Sequence, residues 1–298
     1  MELSIIIPSF CAQKNLSACL KSIEKQIAPS VEVIVVDCSP HNEVKNICAN
    51  YKFVNFISVK QRFNPGKGRN IGAYEARGRY LAFVDADVEL DERAIPNILD
   101  ITKTNKFTVF GCSLELNKRY ADSFSANVEH YYFNHEAQSS RKIQKRSNLS
   151  SAFMVIENTI FEKNNGFKDL ARMQDTEFTE RLVRAGITLY FIPQVIGYQI
   201  QDSNLTKVLK KIKITGNNLF YVRGYSNKTN YFFKFCLFIL TPLLMFLKIT
   251  RINIRNLRYA FSLKVLFIYS PFMYVCGMYW LLGFYKAQVL KRGIESGR

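Results

Sequence analysis

Continuous apolar runs punctuate the first hundred residues, at 3–7, 31–36, 53–59 and 80–84. Runs of this length without polar alternation predict strands buried on both faces of a parallel sheet. The stretches between them, 15–26, 42–50 and 70–77, read as helices, and in the first Leu16, Leu20 and Ile23 form a sheet-facing stripe. Strand and helix alternate as in a doubly wound α/β domain. Beyond residue 107 the pattern turns mixed. A strand-like run covers 108–116, an aromatic helix 124–135, and a helix over 175–185 is stopped by Gly186. The basic, polar stretch 139–151 reads as a mobile loop.

The last seventy residues change character. Two apolar segments, 231–249 and 265–284, are each close to the roughly 20 residues that cross a bilayer. Lys248, Arg251, Arg255, Arg258 and Lys264 lie between and around them, and Lys286, Lys291 and Arg292 follow. If both segments span, this basic linker faces outward, against the positive-inside tendency. A hairpin dipping into the cytosolic leaflet, with the linker at the headgroups, is the alternative, and Pro242 and Pro271 are compatible with kinked re-entrant helices. Both readings stand at this stage.

A net charge of +17 and a pI near 9.6 call for an anionic partner. Basic residues beside membrane-length apolar runs favour lipid headgroups. Nucleic acid is not expected, because aromatic and basic residues do not interleave on a recognisable module. The seven cysteines show no C-x-x-C pair and no metal-ligand spacing, and the first apolar run is too short for an export signal. A reduced, cytosolic environment follows as the expectation, with the protein at the cytoplasmic face of the cell membrane.

In a doubly wound sheet, ligands bind beyond the carboxyl ends of the strands. Small or polar residues stand at each such place: Pro8-Ser9-Phe10, Asp37-Cys38-Ser39 and Asp85-Ala86-Asp87. Two aspartates one residue apart can hold Mg or Mn from one side and leave the remaining positions to diphosphate oxygens and water. Upstream, Asn64-Pro65-Gly66-Lys67-Gly68-Arg69-Asn70 combines glycines that admit a ligand close to the backbone with Lys67 and Arg69, which can meet phosphate or sugar oxygens.

These motifs, in this order and at these spacings, resemble those of family 2 glycosyltransferases over roughly residues 1–200. The matching residues are Ile7-Pro8-Ser9-Phe10, Val35-Val36-Asp37-Cys38-Ser39, Gly68-Arg69-Asn70-Ile71-Gly72 with Ala76 and Gly78, and Phe83-Val84-Asp85-Ala86-Asp87. The resemblance implies a Rossmann-like α/β fold of the GT-A type, here followed by a C-terminal hydrophobic helical hairpin. It implies that Pro8, Ser9, Phe10, Asp37, Lys67, Arg69, Asp85 and Ala86 bind a nucleotide sugar, and that Asp87, with Asp85, holds a divalent cation, Mg or Mn. It further implies that Asp175, in Gln174-Asp175-Thr176-Glu177, is the general base of an inverting transfer. Residues 1–225 would form the transferase domain, 1–106 binding nucleotide and 107–225 the acceptor, with 226–298 associated with the membrane.

Two departures stand out. Cys11 occupies a place where the family often has Asn, and Gln199 one where it often has His. The processive Q-x-x-R-W sequence is missing, the sole tryptophan being Trp280, which favours transfer of a single sugar. The expected acceptor is a lipid-linked saccharide or polysaccharide precursor. A polyprenyl-phosphate glycosyltransferase and a non-catalytic nucleotide- or membrane-binding scaffold are the alternatives.

Overall fold

The structure is a computed structural model describing residues 1–170, 172–225, 231–290 and Gly293. The junction at 226–230 and the tail carrying Lys291 and Arg292 lie outside the described residues. The chain forms two compact units, one of residues 1–117, 141–169 and 174–200, the other of 118–140, 170–173 and 201–298.

The first unit is built on β1 (Leu3–Ser9), β2 (Val31–Asp37), β3 (Val54–Ser58) and β4 (Tyr80–Val84), paired in parallel in the order β3-β2-β1-β4. Every residue of β2 and β4 is buried, so both faces are covered and the apolar runs need no polar alternation. Helix α1 (Leu16–Glu24) buries Leu16, Cys19, Leu20 and Ile23, one face of a helical period. Helix α2 is Glu43–Ala49. Helix α3 (Pro65–Tyr74) begins five residues earlier than the 70–77 pattern predicts. Proline at the first turn is compatible with a helix start, whereas Gly66 and Gly68 weaken the periodic signal there. Gly72 is required by close approach, since a Cβ would sit 2.5 Å from Ile6 Cγ2.

The sheet continues with β5 (Val88–Leu90), β6 (Val109–Leu116), β7 (Gln144–Arg146), β8 (Phe153–Glu157) and β9 (Leu189–Gln199). Here directions mix: β8 is antiparallel to β4 and β6, while β6 and β9 are parallel. The two ends of β9 take antiparallel partners, β7 on Leu189–Phe191 and β5 on Gly197–Gln199. Strand β7 lies within the stretch read from sequence as a mobile loop. Its three residues, Gln144-Lys145-Arg146, carry no apolar signal and owe their extended form to pairing with β9. Helices α4 (Ala94–Lys103), α6 (Asn158–Lys163) and α7 (Gln174–Arg184) complete the unit.

The second unit contains α5 (Phe124–Phe133), α8 (Leu205–Val222), α9 (Tyr231–Tyr259) and α10 (Ser270–Leu290), the last preceded by a π-helical turn at Val265–Tyr269. Ser123 caps α5 by accepting from the Ala126 amide. Helices α9 and α10 form an antiparallel hairpin: Asn253 Nδ2 donates to Ser270 O at 2.9 Å near the tip, and Gln288 Nε2 to Lys234 O at 2.8 Å near the open end. The basic linker expected after residue 249 is largely the final turns of α9. Of its cations, Arg255 pairs with Glu136 and Lys248 Nζ lies 4.4 Å over the Trp280 ring, leaving Arg251, Arg258 and Lys264 exposed. Phe232, Phe235, Ile239, Leu243, Leu244 and Leu247 are exposed along α9. Single exposed apolar residues are ordinary, but a continuous apolar surface of this kind marks an interaction face.

Candidate functional site

Three of the expected groups meet at the carboxyl ends of the parallel strands. Pro8 and Ser9 end β1, Ser9 is the register partner of Asp37 at the end of β2, and Asp85 follows β4 directly. Asp37 is buried and its carboxylate is held from below by Ser39: Ser39 Oγ donates to Oδ1 at 2.7 Å and the Ser39 amide to Oδ2 at 3.1 Å. The Cys11 amide donates to the same hydroxyl at 2.7 Å, with Cys11 in the left-handed region at φ 51°. The loop after β1 is therefore tied to the loop after β2. Phe10 is half-buried, and the Arg62 guanidinium lies 4.5 Å above its ring. Arg62 was not singled out by any motif, and only its position after β3 could have drawn attention to it.

Arg69 projects from α3 into the first unit and is only 2% exposed. One of its nitrogens, Nη2, pairs with Asp85 Oδ1 at 2.5 Å, and its guanidinium stacks 5.7 Å from the Phe167 ring. A buried guanidinium needs a paired anion, and Asp85 supplies it. Lys67, by contrast, is exposed on the first turn of α3. Gly68 lets α3 approach β1, since a Cβ there would sit 2.5 Å from Phe63 Cε2 and 3.2 Å from Pro8 Cβ.

The turn Asp85-Ala86-Asp87 is fixed on both sides. The Asp85 amide donates to Ala152 O at 2.9 Å, the Val88 amide to Asp85 O at 3.0 Å, and the Ile200 amide to Asp87 O at 2.7 Å. Because Val88 pairs with Gln199, the end of β9 lies beside this turn. Ala86 is buried between the two half-buried aspartates. No third His, Cys, Asp or Glu joins them in a group able to hold a metal among the described residues. Hard divalent cations need about six oxygen ligands. The pair therefore fits a Mg or Mn ion that completes its shell with phosphate oxygens and water, and does not fit a closed protein cage.

Asp175 opens α7. Its Oδ1 accepts from the Thr176 amide at 2.8 Å. Desolvation raises its pKa above the ordinary aspartate value, and the Asp85 charge adds to the rise; the Thr176 and Ser151 amides and the Arg69 charge oppose it. Arg69 thus stands within electrostatic reach of both Asp85 and Asp175. Gly66 of α3 abuts Gln174, with a hypothetical Cβ 3.1 Å from Gln174 Cγ, so the starts of α3 and α7 are packed together. Glu177 serves a different end. Lys168 Nζ lies 2.9 Å from Oε1 and Arg181 Nη2 2.8 Å from Oε2, while Arg181 also donates to the carbonyls of Asn164 and Gly166. Burial alone would raise the Glu177 pKa, but these cations lower it.

Residues 4–164, more than half of the chain, match the family described as Glycosyl transferase family 2. The chain belongs to glycosyltransferase family 2. Among curated family members, it is 28% identical over 130 residues to the GalNAc(5)-diNAcBac-PP-undecaprenol beta-1,3-glucosyltransferase of Campylobacter jejuni, covering 42% of each chain. It is 26% identical over 226 residues to the probable glycosyltransferase YdaM of Bacillus subtilis, covering 70% of this chain and 52% of that one. The match thus spans about half or less of these relatives. Two solved structures share the GT-A fold of this family 2 member. One is the mannosyltransferase PcManGT of Pyrobaculum calidifontis in complex with GDP-Man and Mn2+, with a TM-score of 0.65, 14% identity and coverage of 98% and 88%. The other is TarS 1-349 of Staphylococcus aureus in complex with UDP-GlcNAc, with a TM-score of 0.56, 15% identity and coverage of 98% and 92%.

Proposed function

We propose that this family 2 member transfers one sugar from a nucleotide-sugar donor to a lipid-linked saccharide or polysaccharide precursor, with inversion, at the cytoplasmic face of a membrane. The observation that carries the reading is the cluster of Asp85, Arg69 and Asp175, in which a desolvated carboxyl of raised pKa stands near a strand-end carboxylate pair. A carboxylate made more basic is suited to accept a hydroxyl proton at neutral pH. In the proposed step the acceptor oxygen bonds to the anomeric carbon, its proton passes to Asp175, and the anomeric C–O bond breaks with its electron pair leaving on the nucleoside diphosphate.

Pro8, Ser9, Phe10 and Asp37 would line the nucleotide, Lys67 and Arg69 would meet donor oxygens, and Ala86 would pack against the donor. A divalent cation held by Asp87 with Asp85 would supply charge neutralisation for the diphosphate. Structures with this fold hold donors with different bases, UDP-GlcNAc in TarS and GDP-Man in PcManGT, so the base is a matter for assay. A lipid-linked acceptor is supported by the Campylobacter relative, named for an undecaprenol-linked substrate, and by the apolar hairpin. In this division of labour residues 1–106 bind donor, 107–225 bind acceptor and 226–298 rest in the membrane.

The test is release of nucleoside diphosphate from a panel of nucleotide sugars, with lipid-linked acceptors and Mg or Mn, comparing the natural chain with Asp175→Asn. Loss of a general base costs about 10²- to 10⁴-fold in rate. The expected result is a fall of that size in transfer with donor affinity unchanged. Undiminished transfer by Asp175→Asn would remove Asp175 from the mechanism, and failure of the natural chain to bind any donor would favour a scaffold.

A further inference from the structure

On the membrane reading above, the hairpin meets lipid either across the bilayer or along one leaflet. We propose that α9 and α10 lie along a single leaflet, in the plane of an anionic membrane, with α8 on the water side, and that neither helix crosses the bilayer.

The outward positions of α10 and the turn before it form one apolar stripe. Phe267, Pro271, Met278, Leu282 and Val289 are exposed at spacings of four or seven residues, so the stripe runs the whole length of the helix on one side. Another side of α10 is covered by α8. Gly216 and Gly283 bring the two backbones into contact: a Cβ at Gly216 would fall 2.0 Å from Trp280 O, and one at Gly283 1.8 Å from Lys213 O. The contacts advance together along both helices, from Gly216 at Trp280 to Tyr221, whose hydroxyl donates to Ala287 O at 3.4 Å. The helices therefore run side by side in the same direction.

That pairing sets the level of the α8 lysines. Lys207 and Lys210 are exposed and precede Gly216 by nine and six residues, which places them beside the middle of the apolar stretch Val265–Leu290. Were α10 to cross a bilayer, these ammonium groups would sit near mid-depth in the hydrocarbon, where ionised side chains are least tolerated. With the hairpin lying flat, they face water while the stripe faces lipid.

The tip of the hairpin is tethered as well. Gln138 Nε2 donates to Asn256 Oδ1 at 3.0 Å, and Ser140 Oγ donates to Tyr259 O at 2.5 Å. Ser140 is four residues from Gln144, where β7 joins the sheet. Four residues of chain reach at most about 14 Å, less than the roughly 30 Å of a hydrocarbon core. The tip is thus held to residues 138–140 and lies on the same side of the bilayer as they do. Its exposed Arg251, Arg258 and Lys264 stand where anionic headgroups would meet them.

The test places tryptophan at exposed stripe positions of the full-length chain, as Phe267→Trp, Met278→Trp and Val289→Trp. Each variant is bound to vesicles of phosphatidylcholine and phosphatidylglycerol carrying bromine at defined acyl depths, with the natural chain and its buried Trp280 as baseline. The expected result is strongest quenching by the shallow bromines, equally at all three positions. Deep quenching of Met278→Trp with shallow quenching at the other two would overturn the flat arrangement and establish a crossing, leaving the membrane reading intact. Failure of the natural chain to sediment with vesicles would overturn both. As a second readout, Ser262→Cys at the tip, made in a chain whose exposed Cys11 is replaced by serine, should react with an impermeant maleimide added from the side to which the protein was bound. Protection from that side, with labelling only from within, would also overturn the proposal.

Discussion

Asp175 combines two properties that pull apart in a folded protein. Its raised pKa means that the folded chain holds the proton more tightly than the unfolded one, so its contribution to stability is fully present below the ordinary aspartate pKa and is lost as pH rises through the raised value. At neutral pH the ionised carboxyl is therefore a liability for folding and an asset for proton abstraction. Two outcomes follow for Asp175→Asn at pH 7: a higher Tm by calorimetry and loss of transfer. The trade-off is that expected of an active-site residue. For the natural chain, kcat should rise with pH along an acid limb centred above the usual aspartate value, read from a pH profile. An acid limb at or below that value would place the base elsewhere. The positions of Asp37, Asp85, Asp87 and Asp175 were legible in the sequence because strand ends and a helix start can be read from periodicity. Their partners were not. Nothing in a run of residue types says that Arg69 turns inward to Asp85, or that Ser39 donates to the carboxylate of Asp37.

At the scale of elements, α7 is positioned by charge as much as by packing. Glu177 joins Lys168 and Arg181, and Arg181 reaches the carbonyls of Asn164 and Gly166, so one guanidinium fastens the loop before α7 to the helix. Glu177→Gln leaves Arg181 short of its anion, and hydrogen bonds to charged groups are worth about 1.5–3 kcal/mol. A loss of about 2 kcal/mol in urea unfolding is expected, with transfer reduced less than in Asp175→Asn. Because the folded pKa of Glu177 is lowered, its stabilisation is present above the ordinary glutamate value and fades as pH falls through the lowered one. The penalty of Glu177→Gln should therefore shrink in acid, as measured by the same unfolding at low pH. Strands β1, β2 and β4 were plain from continuous apolar runs, since burial on both faces leaves no ambiguity of period, whereas β3 is an edge strand with no buried residue and does not meet the expectation of burial on both faces. Strand β7 was not, because three polar residues become a strand only when β9 presents an edge to them. The start of α3 was displaced by glycines whose use is close packing and not helix propensity.

For the whole molecule, a charge of +17 and an exposed apolar hairpin would make two separable contributions to the proposed membrane attachment. Raising ionic strength from about 0.1 M to about 1 M shortens the screening length from about 10 Å to about 3 Å. Sedimentation with anionic vesicles should weaken over that range towards a plateau, and sedimentation with neutral vesicles should change little. Complete release by salt would leave no part for the apolar surface.

The path of the chain has a consequence for any attempt to divide it. The polypeptide leaves the α/β unit after residue 117, re-enters at 141, leaves briefly for 170–173 and leaves again after 200. The insert carries α5, whose Val128 and Tyr132 share a buried cluster with Ile249, Met273 and Trp280. Cutting the chain at residue 200 or 225 therefore does not liberate a water-soluble enzyme from its anchor. It strips the cover from a helix still spliced into the remaining half, so a clean excision needs, besides the cut after residue 200, a junction on each side of residues 118–140.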